Sequence, residues 1–281
     1  MIEFLQRPPR AQSPLEGEPY DRWVLGEKRV KAEFRRVPQG YLLRFPDEAD
    51  FEINPATPRV VGWPAPDVSE DHFLSLFRNA VVPLIGDHNG GLFLHGSAVA
   101  VDGRAVAFIG QSGDGKTTLA GAFAKSGYPV LTEDVIELVP DGDGYLLQPK
   151  PSGLRLYADS AAYLLGTAES VHDSGKVDVA DAASLPFRSE PAPLAAVFLL
   201  GSDHDAAIAL GALPAPAAVQ RLLPHSFVLD VEDKPRLRAH FSRIVGLASQ
   251  TPCYALDYPR DYAELPRVIA ATIACLAGAG G

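Results

Sequence analysis

Eight consecutive residues carry the strongest signal in this sequence: Gly110-Gln111-Ser112-Gly113-Asp114-Gly115-Lys116-Thr117. The pattern is that of a P-loop, in which glycines let the backbone curl until successive N–H groups surround an anion. Lys116 is expected to reach the β- and γ-phosphates of a nucleotide, and the Thr117 hydroxyl to bind Mg²⁺. We add the next residue, Thr118, to the predicted nucleotide-binding set.

The sequence on either side of the loop supports this interpretation. An apolar run at residues 105–109 is typical of a buried strand, and residues 118–125 have helical spacing. A helix that begins at the loop points its positive end at the same anion. This context favours a nucleotide-phosphate site over the alternative, a glycine-rich turn with an exposed lysine.

A hairpin is predicted immediately before the loop. Residues 92–101 read as one strand, Asp102-Gly103 is a strong tight-turn signal, and the apolar run is the returning strand. His95 lies in the first strand, so it can approach the loop although it is distant in sequence. The alternative for a single histidine in an apolar strand is a core residue whose hydrogen bonds are satisfied.

Two adjacent acids end the strand predicted after the P-loop helix. Residues 128–132 form that strand, and Glu133-Asp134 follows it. In a P-loop α/β sheet such a strand end lies near the phosphates, where carboxylates can hold Mg²⁺ or accept a proton from a hydroxyl. Neighbouring residues on a strand face opposite ways, so the two acids are not expected to share one role. A solvated strand end is the alternative.

The rest of the chain gives weaker signals. Three predicted domains follow one another: an N-terminal arm at 1–25, a small β-rich unit with a helix at 26–88, and the P-loop domain at 89–281. The helix of the middle unit covers 69–85 and begins near Ser69. Further on we expect a buried strand at 195–200, a short strand at 254–258 and helices at 234–249 and 265–276. Two segments are read as a turn and a loop: Ser202-Asp203-His204-Asp205 and Pro214-Ala215-Pro216.

Composition limits the function classes. The chain has 281 residues and a formal net charge of −10, which argues against broad binding to nucleic acid or an anionic membrane. Its two cysteines, Cys253 and Cys275, belong to no zinc-type cluster and fit a reducing compartment. The first residues lack the apolar run of a signal peptide, and no run of about 18 apolar residues occurs. We therefore expect a cytoplasmic protein.

The sequence resembles the catalytic domain of HPr kinase/phosphorylase, a bacterial protein-serine kinase whose fold is related to phosphoenolpyruvate carboxykinase. Four features occur in the same order: His95-Gly96, the Asp102-Gly103 hairpin, the P-loop and Glu133-Asp134. The resemblance covers residues 91–150 clearly and 150–275 loosely. It implies an α/β fold of α+β character, with a mixed sheet and a hairpin before the P-loop strand, plus the small β-rich unit.

The chain also departs from that family. Glu133-Asp134 stands where the family has two aspartates, and Lys116-Thr117-Thr118 where it has Lys-Ser-Glu. The family's Gly-Leu-Gly signature, which is tied to phosphorolysis, has no counterpart. The chain is therefore similar to kinase-only relatives, above all the HPr-kinase-like proteins of lasso-peptide gene clusters. Their Pro-x-x-Leu-Arg-Leu segment reads here Pro151-Ser152-Gly153-Leu154-Arg155-Leu156.

The resemblance implies roles for the site residues. Glu133 stands where the first acid acts near the attacking hydroxyl and the metal, and Asp134 where the second positions His95 or the metal. Lys116 joins these three as a catalytic residue, and Thr117 joins the two acids as a metal ligand.

Two further cations are predicted to counter phosphate charge, namely Arg155 and Lys176. An exposed surface position is the alternative for both.

These features together predict an ATP- and Mg²⁺-dependent kinase that phosphorylates a serine hydroxyl of a protein or peptide. A nucleotide-gated binding module or slow NTPase is one alternative, and a small-molecule kinase is another. By the same resemblance the protein is expected to form a homo-oligomer.

Overall fold

The computed structural model describes residues 2–25, 29–150, 153–166, 176–179 and 185–278, with only the backbone of Leu25 and of 176–179. The chain divides into two compact units, residues 1–91 with 227–240 and residues 92–226 with 241–281. Each unit combines β-sheet with helices, so the mixed α/β class predicted from the sequence is confirmed. Among the described residues, no helix is both long and apolar enough to cross a membrane.

The first unit contains a six-stranded sheet with the strand order β1-β6-β5-β4-β3-β2. Its strands are β1 (Glu3–Gln6), β2 (Asp21–Leu25), β3 (Arg29–Val37), β4 (Gly40–Phe45), β5 (Ala49–Asn54) and β6 (Arg59–Pro64). All neighbours are antiparallel except β1 and β6, which are parallel. Alternate residues of β6 are buried, as expected of strands with one face on a core.

One continuous helical segment covers this sheet. It consists of α1 (Glu70–Leu76), a π-helical turn (Phe77–Val81) and α2 (Val82–His88). The Ser69 hydroxyl accepts a hydrogen bond from the His72 N–H at 3.3 Å and caps α1, as the sequence predicted. Phe73 stacks on Phe51 with ring centroids 5.1 Å apart. A Cβ at Gly62 would lie 2.8 Å from the Phe73 ring, so glycine is required at that contact.

The predicted domain boundaries differ from this division at two places. The segment predicted as an arm contributes β1 and β2, because Phe4 of β1 stacks on Phe77 at 3.8 Å and buries apolar surface. Residues 227–240, predicted in the P-loop domain, belong to the first unit. There the Asp230 carboxylate accepts hydrogen bonds from the Arg36 guanidinium at 2.7 Å and the Tyr41 hydroxyl at 2.9 Å.

The described residues of the second unit form ten strands and five helices, one of which begins in the first unit. The strands are β7 (Leu92–Val101), β8 (Arg104–Ile109), β9 (Val130–Thr132), β10 (Val135–Asp141), β11 (Gly144–Gln148), β12 (Leu154–Tyr157), β13 (Lys176–Val179), β14 (Ala192–Leu200), β15 (Ala209–Leu213) and β16 (Cys253–Asp257). The helices are α3 (Lys116–Lys125), α4 (Ala158–Leu165), α5 (Ala215–Leu222), α6 (Lys234–Gln250) and α7 (Leu265–Gly278).

Eight of these strands form a mixed sheet in the order β11-β10-β7-β8-β14-β16-β15, with β9 beside β7. Strands β7 and β8 form the predicted hairpin around Asp102-Gly103, with Gly96 opposite Ile109. Strand β14 runs parallel to β8 on one side and to β16 on the other. Consequently β8, β14 and β16 end at the same edge of the sheet, and loops at such an edge commonly form ligand sites.

Strand β8 is buried on both faces, which fixes the position of the loop that follows it. Val106 and Phe108 face a core shared with α3, α4 and α7. Ala107 and Ile109 face a second core shared with α5 and α6. Two buried faces explain why this strand reads as a continuous apolar run instead of an alternating one.

Candidate functional site

The predicted P-loop connects β8 to α3 as a curled glycine-rich turn. Gly113 and Gly115 have φ values of 97° and 87°, in the left-handed region that favours glycine. The buried Asp114 carboxylate accepts a hydrogen bond from the Gln111 N–H at 2.5 Å. A Cβ at Gly110 would lie 2.8 Å from that carboxylate, so glycine is needed there as well. The loop therefore has the curled backbone that an anion nest requires.

Lys116 lies inside this curl. Its side chain is 7% exposed, and its ammonium donates hydrogen bonds to the carbonyls of Gly110 at 2.9 Å and Gln111 at 2.7 Å. A buried ammonium is stable only with partners of this kind. Phosphate oxygens placed in the nest would be stronger acceptors for the same donors because they carry negative charge.

The acid after β9 approaches the start of α3. Glu133 is 5% exposed, and one of its carboxylate oxygens accepts a hydrogen bond from the Thr117 hydroxyl at 3.3 Å. Thr118 has another partner, since its hydroxyl lies 3.0 Å from the Ser160 hydroxyl. Thr117 is thus directed toward the acids, whereas Thr118, predicted to bind nucleotide, is directed toward α4.

The oxygen atoms of Thr117 and Glu133 fit a magnesium ion. Mg²⁺ prefers hard oxygen ligands and commonly binds one or two protein carboxylates, with phosphate oxygens and water completing its shell. Among the described residues, no group of three or more His, Cys, Asp or Glu side chains could hold a metal ion. Thr117 and Glu133 would hold such an ion together with the phosphates of a nucleotide.

Asp134 has a different environment from Glu133. It lies at the centre of a tight turn with φ 66°, closed by a hydrogen bond from the Val135 N–H to the Glu133 carbonyl at 2.8 Å. Its own carbonyl accepts hydrogen bonds from His95 Nδ1 at 2.9 Å and from the Gly96 N–H at 3.2 Å. Because a carbonyl cannot donate, Nδ1 carries the proton, and in the neutral ring Nε2 is the acceptor.

Arg155 joins the two acids. In β12, Leu154 and Leu156 are buried on one face, so Arg155 lies on the other. Its guanidinium pairs with the Asp134 carboxylate, and its Nε lies 3.7 Å from a Glu133 oxygen. The sequence predicted a contact with phosphate or substrate, and the structure places Arg155 at the acid pair beside the P-loop.

Lys176 is the remaining predicted cation. Its backbone lies in β13, opposite Tyr157 of β12. Its side chain lies outside the described residues.

His225 is a site residue that the sequence analysis missed. A β-bridge between Leu94 and Ser226 brings it beside the strand that carries His95. The pKa of His225 is lowered to about 4 by burial and by the charge of Lys116, against the opposing effect of Asp114. The imidazole is therefore neutral at pH 7. Its sequence surroundings, Leu223-Pro224-His225, contain no recognisable motif.

Tyr258 and Arg260 also contact the loop and were missed. A Cβ at Gly115 would lie 2.8 Å from the Tyr258 hydroxyl and 3.6 Å from the Arg260 Nε. The guanidinium lies 3.8 Å above the Tyr258 ring centroid and donates to the carbonyls of Tyr258, at 2.5 Å, and Gly201. Burial raises the pKa of Tyr258 to about 12. In the sequence, only their position directly after a short strand could have indicated that they lie at the sheet edge that carries the P-loop.

Comparisons with known proteins find matches among solved structures. No protein-family model matches the sequence, and no curated protein matches it. The chain is similar to a solved structure of the HPr(Ser) kinase/phosphatase from Coxiella burnetii, at 11% sequence identity and a TM-score of 0.37. That match covers 66% of this chain and 96% of the other. The functional assignment therefore rests on the residues of the site.

Proposed function

We propose that this protein is a phosphotransferase that moves the γ-phosphoryl group of ATP to a hydroxyl group. The observation that carries the proposal is the buried Lys116 inside a curled glycine loop, next to the Thr117–Glu133 pair. These groups lie together at the edge of the sheet where β8 ends. A cation and a nest of N–H groups can bind a polyphosphate, and a hydroxyl–carboxylate pair can bind its metal ion.

The mechanism is in-line transfer. The loop N–H groups and Lys116 bind the phosphates and stabilise the charge that develops on the transferred group. Thr117 and Glu133 would hold Mg²⁺, which would supply charge neutralisation at the phosphates. Arg155 holds the Asp134 side chain, while the Asp134 carbonyl orients His95. The proton of the attacking hydroxyl passes to Nε2 of His95 or to the carboxylate of Glu133, both of which are acceptors.

Two single substitutions decide between these proton acceptors. At saturating Mg²⁺, the base should be the residue whose substitution, His95→Gln or Glu133→Gln, lowers kcat by about 100-fold or more and removes the corresponding limb of the pH–rate profile. Loss of Mg²⁺ affinity should accompany Glu133→Gln alone. If both variants kept the wild-type kcat, neither residue would be the base.

The acceptor we favour is a serine of a protein or peptide. The support for this choice is the sequence resemblance to HPr kinase and to the HPr-kinase-like proteins of lasso-peptide clusters, so a lasso-peptide precursor is the first substrate to test. A small-molecule kinase would need the same residues. A screen that includes peptides and small hydroxyl compounds separates the two.

The alternative is a nucleotide-gated binding module or slow NTPase. It needs the P-loop but no group that accepts a hydroxyl proton. The double variant Glu133→Gln/Asp134→Asn separates the possibilities. If the protein is a kinase, phosphotransfer is lost while ATP still binds. A binding module would behave like the wild type in both measurements.

A further inference from the structure

A second polar group lies beside the P-loop, at the carboxyl ends of β14 and β16. It consists of Gly201, Asp257, Tyr258 and Arg260, which we call the β14–β16 cluster. The register of the strands places this cluster beside the P-loop, because Leu199 of β14 pairs with Ile109 of β8 and Leu200 pairs with Leu256 of β16.

Asp257 is the unusual member of this cluster. Its carboxylate occupies the space that a Cβ at Gly201 would need. Its Oδ1 is buried and has no hydrogen-bond partner among the described residues. Burying an acceptor without a donor costs about 1–3 kcal/mol, and more for a charged group. A bound O–H or N–H group would remove that cost, so Asp257 is suited to accept a hydrogen bond from a ligand.

The arrangement of the sheet fixes the direction of a bound nucleotide. The acids and His95 lie on the β7 side of β8, whereas the β14–β16 cluster lies on the other side. With its γ-phosphate at the acids, a nucleotide that crosses the P-loop must extend its nucleoside toward β14 and β16. Arg260 lies where such a nucleotide would pass over the P-loop, with its Nε 3.6 Å from the position that a Cβ at Gly115 would take.

We propose that the β14–β16 cluster binds the nucleoside end of the nucleotide, with the Asp257 carboxylate accepting hydrogen bonds from the ribose hydroxyls. Arg260 lies between this end and the phosphates, where its charge faces the α-phosphate. The proposal rests on the proposed function for the phosphate site. It adds a ligand group, the ribose, and a residue that binds it.

The test compares the binding of Mg-ATP, Mg-2′,3′-dideoxy-ATP and Mg-tripolyphosphate by calorimetry. Wild-type protein should bind ATP about 10- to 100-fold more tightly than the other two, which corresponds to a hydrogen bond to a charged group. Asp257→Ala should remove this preference and leave tripolyphosphate binding unchanged, and that unchanged binding also shows that the P-loop is folded. Asp257→Asn, which preserves the shape, should reduce the preference partly. Asp143→Ala, an exposed acid in the β10–β11 turn, is the control and should retain the full preference.

Several results would overturn the proposal. One is that Asp257→Ala lowers the affinity for all three ligands equally. Another is that it lowers the affinity for none of them. If Asp257→Ala lowered the affinity for ATP and dideoxy-ATP equally and left tripolyphosphate affinity unchanged, Asp257 would contact the base and not the ribose. The proposed function fails separately, if the wild-type protein binds neither ATP nor tripolyphosphate.

Discussion

His225 and Lys116 are coupled through charge. Folding lowers the pKa of His225 to about 4, so the folded protein binds fewer protons than the unfolded chain between that value and the ordinary 6.5. Stability contributed by the neutral ring is therefore complete above about pH 6.5 and is lost as the pH falls toward 4.

We predict that wild-type protein loses about 1 kcal/mol more unfolding free energy than His225→Gln between pH 7 and pH 5. The figure follows from the pKa shift, discounted for the partial exposure of the ring. Urea denaturation at the two pH values measures it. Identical pH dependence in the two proteins would show that the pKa of His225 does not change on folding.

Gly115 combines a left-handed φ with a close contact, so we predict that Gly115→Ala is costly. The backbone conformation costs about 1–2 kcal/mol for a residue with a Cβ. The methyl group would also lie 2.8 Å from the Tyr258 hydroxyl, which adds about 1–3 kcal/mol of overpacking. The free energy of unfolding measured by denaturation should fall by the sum of these two costs. The affinity for tripolyphosphate should also fall at least about tenfold, because the loop must shift.

Gly127→Ala is the matched control. Gly127 has φ 92°, but no atom lies within 4 Å of a Cβ placed there. The free energy of unfolding of Gly127→Ala should fall only by the conformational cost, and its affinity for tripolyphosphate should not change. Equal destabilisation by the two substitutions would contradict the role assigned to the Tyr258 contact.

Single residues were predictable where a motif fixes their spacing. Lys116, Thr117 and the Glu133-Asp134 pair were found because the loop, the helix and the next strand follow one another directly. His225 and Arg260 were not, since they reach the loop through pairings made more than 100 residues downstream of it. The resemblance implied that Asp134 positions His95 or the metal, and in the structure it is the Asp134 backbone carbonyl that accepts a hydrogen bond from His95 Nδ1.

At the scale of elements, the turn after β9 controls the geometry of the acids. It needs a residue at position 134 that tolerates φ 66°. Asn tolerates that conformation, whereas a β-branched residue does not. Asp134→Asn should therefore retain stability within about 1 kcal/mol, and Asp134→Val should lose about 2 kcal/mol. Thermal unfolding of both variants measures this, and equal stability would contradict a strained turn.

Strong periodic patterns predicted most elements of the second unit. The hairpin, the P-loop helix and the helix at 234–249 were confirmed, as was the turn at Ser202–Asp205, where the Asp205 N–H donates to the Asp203 carboxylate at 3.1 Å. The loop predicted at Pro214-Ala215-Pro216 was wrong. Helix α5 begins there with proline in its first turn, where a missing N–H costs nothing.

At the scale of the whole molecule, the chain divides differently from its linear order. Residues 227–240 join the N-terminal strands through Asp230, which is 6% exposed and binds Arg36 and Tyr41. No local pattern encodes a pairing between residues so far apart, because each partner is an ordinary polar residue in its own segment. Hydrophobic periodicity therefore predicted elements such as the hairpin, the P-loop helix and the helix at 234–249, but it does not indicate which distant segments pack together.

We predict that Asp230→Ala destabilises the protein by about 2 kcal/mol, because it leaves the donors of Arg36 and Tyr41 without their buried acceptor. Glu232→Ala is the control, since that carboxylate pairs with the same arginine but is 56% exposed. An exposed ion pair contributes at most about 1 kcal/mol. Urea denaturation of both variants should separate them, and equal losses would mean that burial of Asp230 contributes nothing.

Phosphotransfer by the P-loop site is tested most directly by mass spectrometry of serine-containing peptides incubated with Mg-ATP and either wild-type protein or Lys116→Ala. The wild type should add phosphate to a peptide serine. Lys116→Ala should do so at least about 100-fold more slowly, because it lacks the cation that stabilises the transferred group. Transfer by Lys116→Ala at the wild-type rate would contradict the assignment of this loop as the phosphotransfer site.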